Sequence, residues 1–166
     1  DVGPHQIAVG DAPDLDRQAR DIDRLDAHAV GVLLVQPGGI GRLAHVPGRL
    51  ELAAVVANGA AVYVDYAHTP DSLQAIYDAY KGRNRICVLG STGGGRDMWK
   101  RPVMGSIADE SCDHVILTDE DPYDENPDKI VKEVAEGITG KAPTILMNRR
   151  DAIAEGIKRA KTVDTF

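Results

Sequence analysis

The sequence predicts an α/β fold, with a doubly wound, mostly parallel sheet and helices on both of its faces. From residue 62 onward, four short apolar runs of strand length alternate with segments whose apolar residues recur at helical spacing. Polar loops, one of them rich in glycine, follow three of these runs. Because a strand, a helix and a second strand in this order form a right-handed crossover, the four strands should run parallel.

Each element has its own signal in the sequence. The strands are rich in β-branched and apolar residues, as in VYVDYA and RICVLG. The first helix should begin after Thr69, an N-cap residue followed by proline, and the last should begin after Asn148. The predicted strands cover residues 62–67, 85–90, 114–119 and 143–148. The two middle helices are predicted at residues 102–111 and 127–138.

The N-terminal segment differs in composition from the rest of the chain. No aromatic residue occurs in the first 62 positions, and no Ser, Thr or Lys occurs in the first 68. Apolar spacing favours a helix near residues 14–28, and GVLLVQ at residues 31–36 favours a short strand. We therefore divide the chain into residues 1–45, whose skewed composition is also what a gene-model artefact would produce, and residues 46–166.

Composition and charge argue against several classes of function. A net charge of -7 disfavours general nucleic-acid binding, which needs a basic face. No apolar run is long enough to span a membrane. The histidines and the two cysteines, Cys87 and Cys112, show no metal-ligand spacing, so no metal site is expected. This cysteine usage fits a reduced, cytoplasmic protein.

Three polar loops, DYAHTPD, GSTGGGRDMWKR and TDEDPYDEN, each follow a predicted strand. In an open α/β sheet, ligands bind outside the carboxyl ends of the strands. We therefore expect the three loops to line one edge of the sheet and to form the functional site together.

The glycine-rich loop at residues 90–101 has the features of an anion-binding loop. Its glycines allow backbone amides to point at an oxyanion, and Arg96, Lys100 and Arg101 follow them. The spacing GxxxxG of a P-loop is present, but Arg96-Asp97 stands where Lys-Ser/Thr would hold phosphate and magnesium. A dehydrogenase is also disfavoured, because the Tyr-x-x-x-Lys pair of this chain precedes the glycines.

The acidic loop and His68 each permit two interpretations. An acidic loop opposite a basic one suits an amino acid, whose ammonium would lie against Glu120 and Asp121 and whose carboxylate would lie against Arg96. A run of carboxylates is also typical of a solvated surface. A lone histidine such as His68 is more often structural than functional.

Five segments of the chain occur in an order and spacing that match a known family. Together they closely resemble the C-terminal domain of the Mur ligases over roughly residues 46–162, and above all the branch that adds the third residue of the peptidoglycan stem peptide. The segments are VPGRLE (46–51), VYVDYAHTPDSL (62–73), VLGSTGGGRDMWKRPVMGSIA (88–108), ILTDEDPYDENP (116–127) and NRRDAI (148–153). One such motif would be weak evidence, but five in register are specific.

The resemblance implies that this chain is the last domain of a three-domain cytoplasmic ligase. Residues 1–45 would then be a remnant of its central domain, and residues 46–166 a C-terminal domain truncated at its C-terminal end. ATP and Mg²⁺ would be bound mainly by a central domain, whose P-loop this sequence lacks. An acyl phosphate formed on UDP-MurNAc-L-Ala-D-Glu would react with the amine of a diamino acid. The chain alone is then expected to have no ATPase activity and to need the rest of its enzyme as a partner.

The resemblance also implies roles for individual residues. Arg49 would contact the nucleotide from the domain boundary, and Tyr66 and His68 would lie beside it. Arg96 would hold the carboxylate of the incoming amino acid, so that Arg49, His68 and Arg96 are the implied catalytic residues. The same motif supplies three supporting charges, namely Asp97, Lys100 and Arg101.

Residues 120–123 align with the loop that selects the amino acid in this family. Members that add diaminopimelate carry Asp-Asn-Pro-Arg there, whereas this chain has Glu120-Asp121-Pro122-Tyr123. The arginine expected to bind the distal carboxylate of diaminopimelate is thus replaced by Tyr123. Acidic side chains would instead suit a distal ammonium, which favours lysine or another diamino acid.

Two other functions remain open from the sequence. The chain could be a non-catalytic α/β module that binds a nucleotide or an amino acid, or part of a ligase similar to folylpolyglutamate synthase. The segment DYAHTPDSL and the loop after Thr118 disfavour the second of these.

Overall fold

A computed structural model of the chain describes residues 31–35, 50–55, 59–95 and 97–162. The helix expected near residues 14–28 lies outside these ranges, as do two of the expected site residues, Arg49 and Arg96. Within the described ranges, no helix has the length and apolar character that crossing a membrane requires.

Six strands and four helices make up the described part of the fold. The strands are β1 (Gly31–Val35), β2 (Glu51–Val55), β3 (Ala61–Asp65), β4 (Arg85–Leu89), β5 (His114–Leu117) and β6 (Thr144–Ile145). The helices are α1 (Pro70–Ala79), α2 (Lys100–Ser111), α3 (Pro127–Ala135) and α4 (Arg149–Thr162).

The strands form one mixed sheet in the order β2-β3-β1-β4-β5-β6. Strands β4, β5 and β6 are parallel neighbours. Strand β1 lies between β3 and β4 and is antiparallel to both, and β2 is antiparallel to β3. Since β3 and β4 both oppose β1, the four strands predicted from the alternation do run in one direction. The α/β class is confirmed, and the expected strand at 31–36 separates β3 from β4.

Local sequence signals account for where the helices begin. Thr69 caps α1 through a capping box in which its hydroxyl accepts a hydrogen bond from the Ser72 amide at 3.3 Å, and Pro70 occupies the first turn. Asn126 caps α3 in the same way, with its side chain accepting a hydrogen bond from the Lys129 amide at 3.1 Å. The Oδ1 atom of Asn148 accepts a hydrogen bond from the Asp151 amide at 3.1 Å, as expected of the cap of α4.

Helix α3 and the four predicted strands are all shorter than the sequence predicts, the last strand most of all. Helix α3 ends at Ala135 instead of residue 138, because the amides of Gly137 and Ile138 donate to carbonyls three residues back and no longer follow the α-helical pattern. Gly137 also comes against the backbone of α2, where a Cβ would lie 1.8 Å from the carbonyl oxygen of Pro102. The last predicted strand, 143–148, is reduced to Thr144 and Ile145, which pair only with β5. At this edge the chain turns into α4 at Arg149, so the rest of the run connects strand to helix.

Helices pack on both faces of the sheet, as predicted. Strand β4 alternates between them: Cys87 and Leu89 face the helices α1, α2 and α3, whereas Ile86 and Val88 face α4. The first core includes Leu73, Tyr77, Met104, Val131 and Val134. The second core includes Ala152, Ile153 and Ala160.

Candidate functional site

The carboxyl ends of three parallel strands reach the same edge of the sheet. Strands β4 and β5 are neighbours, so the loops that follow them are adjacent. Strand β3 is one position further away, but Gly31 of β1 lies opposite both Asp65, the end of β3, and Leu89, the end of β4. All three polar loops therefore leave the sheet at one edge, as the sequence analysis expected.

Residues 90–95 of the glycine-rich loop are called here the glycine loop, and residues 119–126 are called the acidic loop. Successive residues join the two. The Thr92 hydroxyl donates to Glu120 Oε2 at 2.5 Å, and the Gly93 amide donates to the Asp121 carbonyl at 2.8 Å. The two loops after β4 and β5 thus form one hydrogen-bonded unit.

The close approach of the loops explains why glycine stands at these positions. A Cβ on Gly93 would lie 2.0 Å from the Pro122 carbonyl oxygen, a distance that no side chain tolerates. Gly94 and Gly95 have φ values of +89° and +71°, in the region that favours glycine. The glycines therefore allow the glycine loop and the acidic loop to lie in close contact. This contact is called here the joint.

Arg101 is buried beneath the joint. Its guanidinium is fully buried and forms a bidentate pair with Glu125, with Nη2 2.8 Å from Oε1 and Nη1 3.0 Å from Oε2. Nη1 also donates to Glu133 Oε2 at 2.5 Å, and Nη2 donates to the Thr92 carbonyl at 3.3 Å. Arg101 was predicted to be a supporting charge beside the site. In the structure it holds the glycine loop, the acidic loop and α3 together.

The ion pair between Arg101 and Glu125 changes the pKa values of both groups. The hydrogen bonds of Arg101, assisted by the Gly95 amide, lower the pKa of Glu125 to about 2. Hydrogen bonding to Glu125 in turn raises the pKa of Arg101. Both groups are therefore charged at neutral pH, so the pair beneath the loops is a full ion pair.

The three predicted selectivity residues have different environments. Glu120 is half-buried and accepts the Thr92 hydroxyl, so this carboxylate already takes part in loop structure. Asp121 is exposed, and its Oδ1 accepts a hydrogen bond from the Tyr123 amide at 3.4 Å. Tyr123 is 69% exposed with φ of +48°. A Cβ on Gly94 would lie 3.6 Å from the Tyr123 ring, which places this ring beside the glycine loop.

The other two predicted supporting charges, Asp97 and Lys100, lie where the glycine-rich loop leads into α2. Asp97 is exposed with φ of +54°, and its carbonyl oxygen accepts a hydrogen bond from the Lys100 amide at 3.0 Å. Lys100, half-buried, is the first residue of α2. Both residues therefore lie at the same edge of the sheet as the glycine loop.

Two carboxylates near the joint were missed by sequence reasoning. Glu133 was not a candidate because it lies on α3, outside every loop motif, and only the tertiary contact with Arg101 reveals it. Asp119, at the end of β5, is half-buried, and this burial raises the pKa of its carboxyl group. Its position directly after an apolar run was the available signal.

The segment after β3 presents two aromatic rings. Tyr66 is 45% exposed, His68 is exposed, and their ring centroids lie 5.1 Å apart. His68 Nδ1 donates to the Tyr66 carbonyl at 3.1 Å, which fixes the orientation of the imidazole. Asp65 accepts the Leu50 amide at 2.5 Å and joins this segment to the residue that follows Arg49. The exposed rings have the character needed to contact a planar base.

The residues that the structure describes are better suited to contact a nucleotide than to bind a metal ion. Within the ranges given above, no group of three His, Cys, Asp or Glu side chains is arranged to hold a metal. The aromatic pair after β3 offers contacts to a base. The amides of Gly93 and Gly95 in the glycine loop already donate to the Asp121 carbonyl and to Glu125.

Comparisons with known proteins find relatives of this chain. Ligases named UDP-N-acetylmuramoyl-L-alanyl-D-glutamate--2,6-diaminopimelate ligase match this chain. That of Zymomonas mobilis is 43% identical over 82% of this chain and 29% of the relative, and that of Gloeobacter violaceus is 42% identical over 76% and 26%. A solved structure of the same name has a TM-score of 0.50 at 33% identity, over 63% of this chain and 22% of its own.

The chain spans only about a quarter of the length of these relatives. The model of the family described as Mur ligase, glutamate ligase domain, matches residues 48–166, which include every loop of the candidate site. This range agrees with the segments from which the resemblance was first inferred. The chain therefore belongs to the Mur ligase family, within which it matches the glutamate ligase domain.

Proposed function

We propose that this chain is the amino-acid-binding domain of an ATP-dependent ligase that adds a diamino acid to UDP-MurNAc-L-Ala-D-Glu. The observation that carries the proposal is the joint between the glycine loop and the acidic loop at the carboxyl ends of β4 and β5. It brings the glycine loop, which leads into Arg96 in the sequence, beside the carboxylates of Glu120 and Asp121, which suits a ligand with both a carboxylate and an ammonium group. Family membership and the names of the relatives support the same reaction.

The proposed reaction forms an amide bond through an acyl phosphate. The terminal carboxylate of the UDP-sugar dipeptide takes a phosphoryl group supplied by ATP, the amine of the amino acid attacks the carbonyl carbon, and phosphate leaves with its oxygen. The residues of this chain would contribute position and charge: they bind the amino acid and orient its amine toward the acyl carbon. Orientation of this kind reduces the entropic cost of a bimolecular step.

The roles of individual residues follow from this assignment. Arg96 would bind the carboxylate of the amino acid, and the carboxylates of Glu120 and Asp121 would attract an ammonium group. Tyr66 and His68, with their exposed rings, would contact the nucleotide together with Arg49. ATP and Mg²⁺ would be held mainly by a central domain of the same enzyme.

The acidic loop favours a diamino acid with a distal ammonium. Tyr123 stands where diaminopimelate-adding members carry arginine, and its exposed ring offers no positive charge to a distal carboxylate. The relatives described above are named for diaminopimelate, whereas the acidic side chains and Tyr123 of this chain suit a distal ammonium. We therefore propose lysine ahead of diaminopimelate as the substrate.

A phosphate-release assay on the full-length enzyme tests the proposed function. We expect release to require UDP-MurNAc-L-Ala-D-Glu, ATP and an amino acid, with a larger kcat/KM for lysine than for meso-diaminopimelate. Omission of the amino acid is the control and should abolish the signal. Release that is independent of any amino acid would contradict the proposed reaction, and a preference for diaminopimelate would contradict only the assignment of the acidic loop.

Changing Arg96 to Ala in the full-length enzyme tests the carboxylate contact. We expect the KM for the amino acid to rise about tenfold, equivalent to about 1.4 kcal/mol, because the substrate carboxylate loses a charged, bidentate donor. The same assay measures it. Lys132→Ala, which removes an exposed positive charge on α3, is the matched control and should leave the KM unchanged. An unaltered KM for Arg96→Ala would remove Arg96 from the site.

A further inference from the structure

Glu125 makes two contacts that no other described carboxylate combines. Its Oε1 accepts the Gly95 amide at 2.7 Å, and both of its oxygens pair with the buried Arg101. Its side chain is only 15% exposed. The acidic loop is thereby fixed to the backbone of the glycine loop at its exposed end, whereas Thr92 and Gly93 fix the end nearer the sheet.

The Gly95 contact is the one that controls the exposed part of the glycine loop. Gly94 and Gly95 are exposed and have positive φ, a flexible pair that has no side chain to restrain it. An amide hydrogen bond to a carboxylate is charge-assisted and about twice as strong as a neutral one. The Arg101 pair holds that carboxylate in place. Among the described contacts, this carboxylate is the acceptor that joins the Gly95 amide, immediately before Arg96, to the acidic loop.

We propose that Glu125 is a positioning residue for amino-acid binding, which orders the glycine loop by accepting the Gly95 amide while Arg101 holds its carboxylate. The proposal rests on the proposed function of the same site. Glu125 does not touch the substrate in this scheme: it acts through the backbone of the glycine loop. Loss of Glu125 should therefore affect the binding of the amino acid more than that of ATP.

Glu133 provides a matched control for this proposal. It is the other carboxylate on Arg101, with an Oε2–Nη1 distance of 2.5 Å and 20% exposure, close to the 15% of Glu125. Glu133 lies on α3, and its described contacts are with Arg101 and with Lys129, not with the glycine loop. Removing either carboxylate takes one negative charge from Arg101, but only removal of Glu125 takes the acceptor from Gly95.

The test compares three variants of the full-length enzyme by phosphate release. For Glu125→Ala we expect the KM for the amino acid to rise about tenfold, with kcat and the KM for ATP within about twofold of the parent. Glu125→Gln keeps an oxygen acceptor for the Gly95 amide, so its KM should stay within about threefold. Glu133→Ala should stay within about twofold. Equal increases for Glu125→Ala and Glu133→Ala would overturn the proposal.

Hydrogen exchange of the Gly95 amide, measured on the same full-length proteins, tests the contact without activity. We expect the fastest exchange in Glu125→Ala, intermediate exchange in Glu125→Gln, whose neutral oxygen makes a weaker bond, and parental exchange in Glu133→Ala. Unchanged exchange in Glu125→Ala would overturn the positioning role even if the enzyme were active. Altered exchange in an enzyme without amino-acid-dependent turnover would instead contradict the proposed function alone. If Glu125→Ala does not fold, Glu125→Asp, which is one methylene shorter, replaces it with the same expectations.

Discussion

Changing Arg101 to Met should destabilise this chain by about 3 kcal/mol, because it leaves two partly buried carboxylates without their partner. Arg101 is fully buried, while Glu125 and Glu133 retain 15% and 20% exposure. Breaking a buried pair from one side typically costs about 3–5 kcal/mol, and the residual exposure of the carboxylates places this case at the lower end. Urea denaturation, or a fall in Tm of about 6–12 °C, would measure the loss.

Two comparisons separate the buried network from ordinary surface charge. Arg159→Met removes the cation of an i,i+4 pair with Glu155 in which both side chains are partly exposed, and it should cost only about 0.3–0.5 kcal/mol. A triple variant that adds Glu125→Gln and Glu133→Gln to Arg101→Met should recover most of the loss, because no unpaired charge remains. A cost below about 1 kcal/mol for Arg101→Met would show that water rehydrates the carboxylates freely.

Changing Gly105 to Ala should also destabilise the chain, by about 2 kcal/mol. A Cβ at this position of α2 would lie 2.0 Å from the carbonyl oxygen of Val134 in α3. Gly137, two residues beyond the end of α3, makes the reciprocal approach to Pro102, so the backbones of α2 and of the C-terminal end of α3 are in contact at both glycines. Separating them costs about 3 kcal/mol, which exceeds the gain of about 1 kcal/mol from the better helix propensity of alanine.

Gly156→Ala is the matched control for this contact. Gly156 is also helical and buried, but a Cβ there would meet the methyl carbons of Leu34 and Val88 at 3.1 and 3.2 Å. Side-chain ends can move by a few tenths of an ångström, so we expect a change within about 1 kcal/mol of the parent. Urea denaturation of both variants measures the difference. If Gly105→Ala were no less stable than Gly156→Ala, α2 and α3 would be able to move apart without loss of stability.

Alternating strand and helix patterns allowed most of the fold to be predicted. The apolar runs of β3, β4 and β5 and the caps Thr69 and Asn148 are local features, determined by side chains close in sequence. The position of β1 between β3 and β4 was not predictable in this way. Antiparallel pairing with two strands that lie further along the chain depends on long-range hydrogen bonds, which leave no periodic trace in the strand itself.

The candidate site divides along the same line. By itself the sequence determined the three loops, their charges, the absence of a P-loop lysine and the family to which the chain belongs. Only the tertiary structure decided that Arg101 is buried, that Glu133 shares it, and that Glu125 accepts the Gly95 amide. The identity of a charged residue in a motif does not reveal whether it faces solvent or a buried carboxylate. Its burial depends on packing between elements that are distant in sequence.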